Sequence, residues 1–231
     1  MMLPKINTPT FRVNVPSLDK EILMRPFLVK EEKILLMAKQ SENKDQIFLS
    51  LNQIIQNCII DDDVDVLKLP YYDVEYLFVQ LRLNSVGETV EIEVTDPDSK
   101  AKVKAEVDLS SIRVNKPETK ANIKLNDTTA FIMKYPTLDE LSRVSTSNEV
   151  DSFFETLMYA IKSVFHDDQS YEFSSYSYDE KMEFLDSLSM NDLALCRDFV
   201  GSMPSVEVTA NWLDVDGKKK STIVKGMNNF F

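Results

Sequence analysis

Four carboxylates stand within five positions, at Asp61, Asp62, Asp63 and Asp65, and alternating aspartates are what a calcium-binding loop uses as ligands. A loop begun at Asp61 needs glycine at its sixth position and glutamate at its twelfth, where this chain has Val66 and Tyr72. The cluster reads as a solvated acidic turn. His166 is the single imidazole, which excludes histidine-clustered zinc sites and leaves one base of that type. Standing before Asp167 and Asp168, it reads as a residue at a helix end, facing the helix dipole or solvent. The four glycines, at 87, 201, 217 and 226, lie too far apart to cradle a phosphate, and no Gly-x-Ser-x-Gly elbow presents a nucleophile. Cys58 and Cys196 both fall in apolar, helical surroundings and read as buried free thiols. The 38 acidic residues keep a carboxylate-based hydrolase open as the alternative class, although nothing selects a pair. No residue is assigned a catalytic, cofactor-binding or metal-ligating role.

What the sequence offers instead is contact area. Thirteen phenylalanines, eight tyrosines, ten methionines and one tryptophan are a large supply for a chain without a visible active site. In SYEFSSYSYDEKMEF, residues 170–184, Tyr171, Tyr176 and Tyr178 alternate with serines, a mixture of stiff aromatics and small polar groups that suits a protein-binding loop. The same loop could equally lie on its own domain. Arg25, Pro26 and Phe27 form a second candidate: proline fixes the turn, arginine can clasp a carboxylate, and phenylalanine can fill a pocket or staple the chain's own helix. A third is the pair Phe230 and Phe231, two aromatics that are costly to leave in water and therefore expected to be anchored, internally or in a partner.

The elements that must position these groups follow from apolar period. FRVNV alternates and predicts a strand over 11–15, paired with residues 21–24. Ile34, Leu35 and Ala38 mark a first helix after the Arg-Pro-Phe corner. A second runs from about Lys44 to Cys58, capped by Asn43, and a third spans Tyr71 to Leu83 behind Pro70. The period then changes to two in ETVEIEV and KVKAEVDL, a hairpin around DPDSK, with further strands at 121–125 and 130–133. Phe153, Phe154, Leu157, Met158, Ile161, Val164 and Phe165 predict one long apolar helix. Two shorter ones follow near 179–187 and 191–200, the last ending at Gly201. A terminal hairpin turns at Asp216-Gly217. The expected fold class is α+β, with helices flanking a small antiparallel sheet and a C-terminal β-hairpin. Its expected regions are 1–85 (short strands and helices), 86–135 (sheet), 136–203 (helices) and 204–231 (hairpin and tail).

Composition bounds the partners. A chain of 231 residues, 43% hydrophobic, can build a real core. A net charge of −12 with scattered basic residues argues against nucleic acid, and Lys218 to Lys220 reads as a solvated hairpin tip. No apolar run reaches the length of a membrane span, and MMLPKINTPTF lacks the core of a signal peptide, so the expectation is a soluble, cytoplasmically made protein without membrane insertion.

FRVNVPS, then MRPFLVKEEKILLMA, then a helix ending in IIQNC, and finally GMNNFF together resemble the baseplate hub protein family of T-even-type contractile-tailed bacteriophages, which comprises a hub subunit and a hub assembly catalyst. The likeness is strongest over residues 11–60 and resumes at the C-terminus. It implies a nonenzymatic late protein of virion assembly, acting as structural subunit or assembly chaperone, with other hub or tail proteins as partners and self-association as a further option. It places the protein in the host cytoplasm during assembly, and in the virion's tail baseplate if it is built in. Within that setting the alternative becomes a cell-wall or tail-processing hydrolase. Some relatives carry cysteine pairs in the terminal hairpin, like a small zinc ribbon; this chain has Asn211, Trp212, Lys218 and Lys219 there, so no metal is carried over.

Overall fold

Side-chain alternation decides the first element. In the computed structural model, β1 (Phe11–Val15) and β2 (Lys20–Met24) form an antiparallel hairpin with Phe11 opposite Met24, and Val13, Val15, Ile22 and Met24 are buried. The structure describes residues 7–41, 44–61, 63–96, 98–115, 120–144, 148–214 and 217–226. Asn43, expected as a cap, lies outside them. Three helices follow, α1 (Val29–Ser41), α2 (Lys44–Cys58) and α3 (Tyr71–Val86). Leu51, Ile54, Ile55 and Cys58 bury one face of α2, and Val74, Leu77, Phe78 and Leu81 bury a stripe of α3, which has Pro70 as its N-cap.

Among the described acids between α2 and α3, Asp63 and Asp65 are exposed, as a solvated acidic turn requires, and three acids also make bonds. The Asp61 carboxylate accepts from the Leu23 N–H at 2.6 Å, Asp63 pairs with Lys20, and Asp65 caps the short turn at 66–68 through the Leu67 N–H. Each of these acids serves a local backbone or charge need.

β3 (Thr89–Thr95) and β4 (Lys102–Asp108) form the expected hairpin in full register, Thr89 opposite Asp108 through Thr95 opposite Lys102, and β5 (Arg113–Val114) follows. The next strands, β6 (Asn122–Lys124) and β7 (Thr129–Met133), do not join them. They pair instead with β8 (Ile161–His166) and β9 (Gln169–Glu172) in the order β6-β7-β8-β9. The expected single sheet over 86–135 is thereby corrected to parts of two sheets, and the expected long helix to α5 (Glu149–Ala160) followed directly by β8. The chain leaves α5 at Ile161, whose φ of −83° and ψ of 117° are extended. Ile161, Val164 and Phe165 favour strand once β7 and β9 offer ladders on both sides. Periodicity cannot distinguish these cases, because the same residues also continue the helical stripe.

Around this second sheet lie α4 (Leu138–Ser142), α5, α6 (Tyr178–Asp186) and α7 (Met190–Gly201). Three of them start on reciprocal capping boxes: Thr137 with Glu140, Ser177 with Glu180, and Ser189 with Asp192. Their core gathers Phe131, Leu157, Phe173, Leu185, Cys196 and Phe199.

The C-terminal strands β10 (Val206–Leu213) and β11 (Lys219–Lys225) pair as expected, with the turn residues 215–216 outside the described set. β10 also pairs with β4 and β5, so the sheet order is β11-β10-β4-β3 with β5 beside β10. The chain consequently divides into two compact units, one of residues 1–115 with 205–231 and the other of 116–204. Among the described residues the fold is mixed, with seven α-helices and three antiparallel sheets.

Candidate functional site

In the first unit the Arg-Pro-Phe corner follows the last residue of β2. The Arg25 backbone N–H donates to the Cys58 carbonyl at 2.9 Å, which fixes the corner to the end of α2. Its guanidinium donates to both Glu31 oxygens, at 2.9 and 3.3 Å, and to the Asn57 carbonyl at 2.7 Å. Glu31 is 1% exposed and also accepts the Leu28 N–H at 2.9 Å, just before α1. Burial opposes ionisation of Glu31, but the bonds from Arg25 and Leu28 prevail and hold its carboxyl below the usual range. The Phe27 N–H donates to the Ser85 hydroxyl at 2.8 Å, and its ring meets that of Phe78 at 6.0 Å. Arg25, Pro26 and Phe27 are each half-buried, and outward from them Leu28 and Val29 are exposed. The carboxylate that Arg25 clasps is the chain's own, and Phe27 packs as a staple against α3.

A second polar cluster holds the hairpins of the same unit. Asp96, 2% exposed, accepts the N–H groups of Asp98 and Ser99 at 2.8 and 3.2 Å, the Trp212 indole N–H at 3.3 Å and the Lys220 ammonium at 3.3 Å. The two backbone bonds come first among the causes that bring its carboxyl down to about 2. Trp212 and Lys220 are direct cross-strand partners. The sequence signal was present in DPDS, an aspartate placed to bond the amides two and three residues on.

In the second unit, the tyrosine segment divides by burial. Phe173 is buried in the core, while Tyr171, Tyr176 and Tyr178 are exposed. The Tyr171 hydroxyl donates to Gln169 at 2.7 Å and that of Tyr178 to Glu155 at 3.4 Å. Tyr171 and Tyr176 sit on the rim of a cavity of about 400 Å³, with Val164, Phe173 and Phe184 inside it. His166, expected at a helix end, is corrected to the last residue of strand β8, where its Nδ1 lies 2.9 Å from the Thr129 hydroxyl. Phe230 and Phe231 lie outside the described residues.

Among the described residues, the groups set out above do not bring a nucleophile, a base and an oxyanion donor together. Cys196 is buried on α7, and burial pushes its thiol up to about 11, as it does for Cys58. Among the described residues no group of three or more His, Cys, Asp or Glu side chains could hold a metal, and no helix is long and apolar enough to cross a membrane.

Residues 8–231 match the family described as T4 bacteriophage base plate protein. The chain belongs to that family. The match takes in both compact units, so the baseplate assignment covers the whole described fold and reaches beyond the N-terminal helices where the resemblance in sequence is densest. Searches of the curated proteins and of the solved structures gave no match. As a phage baseplate protein the chain works among other baseplate proteins, and its location is the virion's tail baseplate.

Proposed function

We propose that this baseplate protein acts at the tail hub, as a structural subunit or as an assembly factor that brings hub subunits together through protein–protein contacts in the host cytoplasm. The observation that carries the proposal is the family match across residues 8–231. Two features support a contact role. The corner at Arg25, Pro26 and Phe27 is fixed by five hydrogen bonds to Glu31, Asn57, Cys58 and Ser85, so the adjoining Leu28 and Val29 are presented without much ordering cost on docking. Tyr171 on β9, with Tyr176 and Tyr178 at the capped start of α6, offers exposed aromatic area. The pair Phe230 and Phe231 remains part of the proposed contact set.

Quantitative mass spectrometry of gradient-purified assembly intermediates and of finished virions tests this. A hub subunit is found in both, and an assembly factor in intermediates alone. Absence of the chain from hub intermediates and virions alike would overturn the proposal.

A further inference from the structure

The sheet of the second unit stops at β9, four residues long and exposed throughout. Asp167 and Asp168, both left-handed at φ 46° and 64°, make a two-residue turn, so His166 and Gln169 are the first bonded pair of the hairpin and Val164 and Tyr171 the next. The Asp167 N–H donates at 3.1 Å to the Thr128 carbonyl on the β7 side, which fixes the same phase. The N–H and C=O of Ser170 and the N–H of Glu172 therefore point away from β8 with no hydrogen-bond partner among the described residues, while the Glu172 C=O accepts the first bond of the short helical turn at 173–175. Such an edge is a template for one more strand.

The side chains say which strand. Ile123, Phe131, Val164 and Tyr171 are successive cross-strand partners and form one row over the sheet. The first three are buried, and the row breaks off at Tyr171, 36% exposed, on the rim of the 400 Å³ cavity. A residue opposite Tyr171 on an added strand would continue an apolar row, beside Tyr176. The turn end of the strand is acidic, since from Asp167 to Glu183 the chain carries Asp167, Asp168, Glu172, Asp179, Glu180 and Glu183 against the single base Lys181, while at the far end Glu172 shares a cavity with Lys134, Arg143, Lys162 and Lys181.

We propose that β9 takes an extended segment of a partner protein as a fifth strand, with an apolar or aromatic side chain set beside Tyr171 and Tyr176 and lysines or arginines flanking it. The inference rests on the reading of the chain as a baseplate contact protein and names the surface and the kind of segment. Backbone bonds to Ser170 and Glu172 supply affinity, the cavity selects the apolar residue, and the acids reject an acidic segment.

The test uses the full chain, labelled with nitrogen-15, and two synthetic eight-residue peptides that alternate valine or phenylalanine with lysine in one and with glutamate in the other. The lysine peptide should shift the Ser170 and Glu172 amides and slow their hydrogen exchange by about tenfold, and the glutamate peptide should bind about tenfold more weakly or not at all. Ser170→Pro removes an N–H that β8 does not use, so it should leave the melting temperature nearly unchanged while abolishing peptide binding. Four results with the purified protein would overturn the inference: no binding of the lysine peptide up to about 1 mM, equal binding of both peptides, binding indifferent to Ser170→Pro in a folded variant, or protection of the two amides that grows with protein concentration alone, which would assign the edge to a second copy of the chain. The wild-type amide readout stands even if the variant fails to fold. In phage carrying a nonsense mutation in the gene, rescue by both wild type and Ser170→Pro defeats this inference alone, whereas a phage that needs no rescue defeats the hub reading beneath it.

Discussion

Arg25 shows how one side chain closes a junction. Its pairing with the fully buried Glu31 side chain is the kind of contact whose disruption is costly, because the carboxylate is then left with only Lys30 at 3.3 Å and the Leu28 N–H. Arg25→Ala should cost about 3 kcal/mol of stability in denaturant titration, while Arg25→Lys, which cannot reach both Glu31 oxygens and the Asn57 carbonyl together, should fall between. Asp73 is the opposite case. It is wholly buried on α3, one oxygen accepts the Ser17 N–H at 3.1 Å, and the other has no partner among the described residues. Burial raises its pKa against the smaller effect of Ser17. An acid raised on folding is most favourable below its unfolded pKa, near 3.9, and destabilises as pH climbs through the folded value. The wild type should therefore lose melting temperature relative to Asp73→Asn between pH 4 and neutrality; parallel curves would show that Asp73 ionises normally. Cys58 and Cys196, buried with raised pKa values, should label slowly with a bulky thiol reagent at neutral pH and fully once the chain is unfolded.

At the scale of elements, the two long hairpins of the first unit meet at Asp96, which bonds its own turn, Trp212 and Lys220. Asp96→Ala should lower the melting temperature by several degrees and red-shift Trp212 fluorescence as the indole N–H loses its acceptor. Because its carboxyl is held at about 2, this contribution is fully present above the unfolded pKa and is lost as the pH falls from there through the folded value of about 2. Much at this scale was legible in sequence. Alternation in FRVNV, ETVEIEV and KVKAEVDL located β1, β3 and β4, and the stripes of α2 and α3 located those helices. β8 was not legible, since Ile161, Val164 and Phe165 satisfy both periods and its turn, Asp167-Asp168, lacks the glycine that usually marks a hairpin. The division of strands between sheets was also hidden: β4 meets β10 about a hundred residues away, and no local pattern encodes that pairing. Of the candidate site, the exposed tyrosines were legible, whereas the role of Glu31 as clasp and helix cap needed the fold.

For the whole molecule, two units that share one chain and one family match suit a protein whose task is to hold other proteins in place. The first unit is closed by a strand pair from the C-terminus, so the chain must be complete through β11 before that sheet forms. Removing Phe230 and Phe231 separates two uses of the tail: lost thermal stability marks an internal anchor, and intact stability with failed phage assembly marks a docking peptide. Whether the chain is needed at the hub is read from sedimentation and electron microscopy of tail intermediates from cells infected with a phage bearing a nonsense mutation in its gene. Complete baseplates should be missing, incomplete ones lacking a hub should accumulate, and the gene supplied in trans should restore them. Normal baseplates and a normal yield of infectious phage without the protein would show that the hub does not need it.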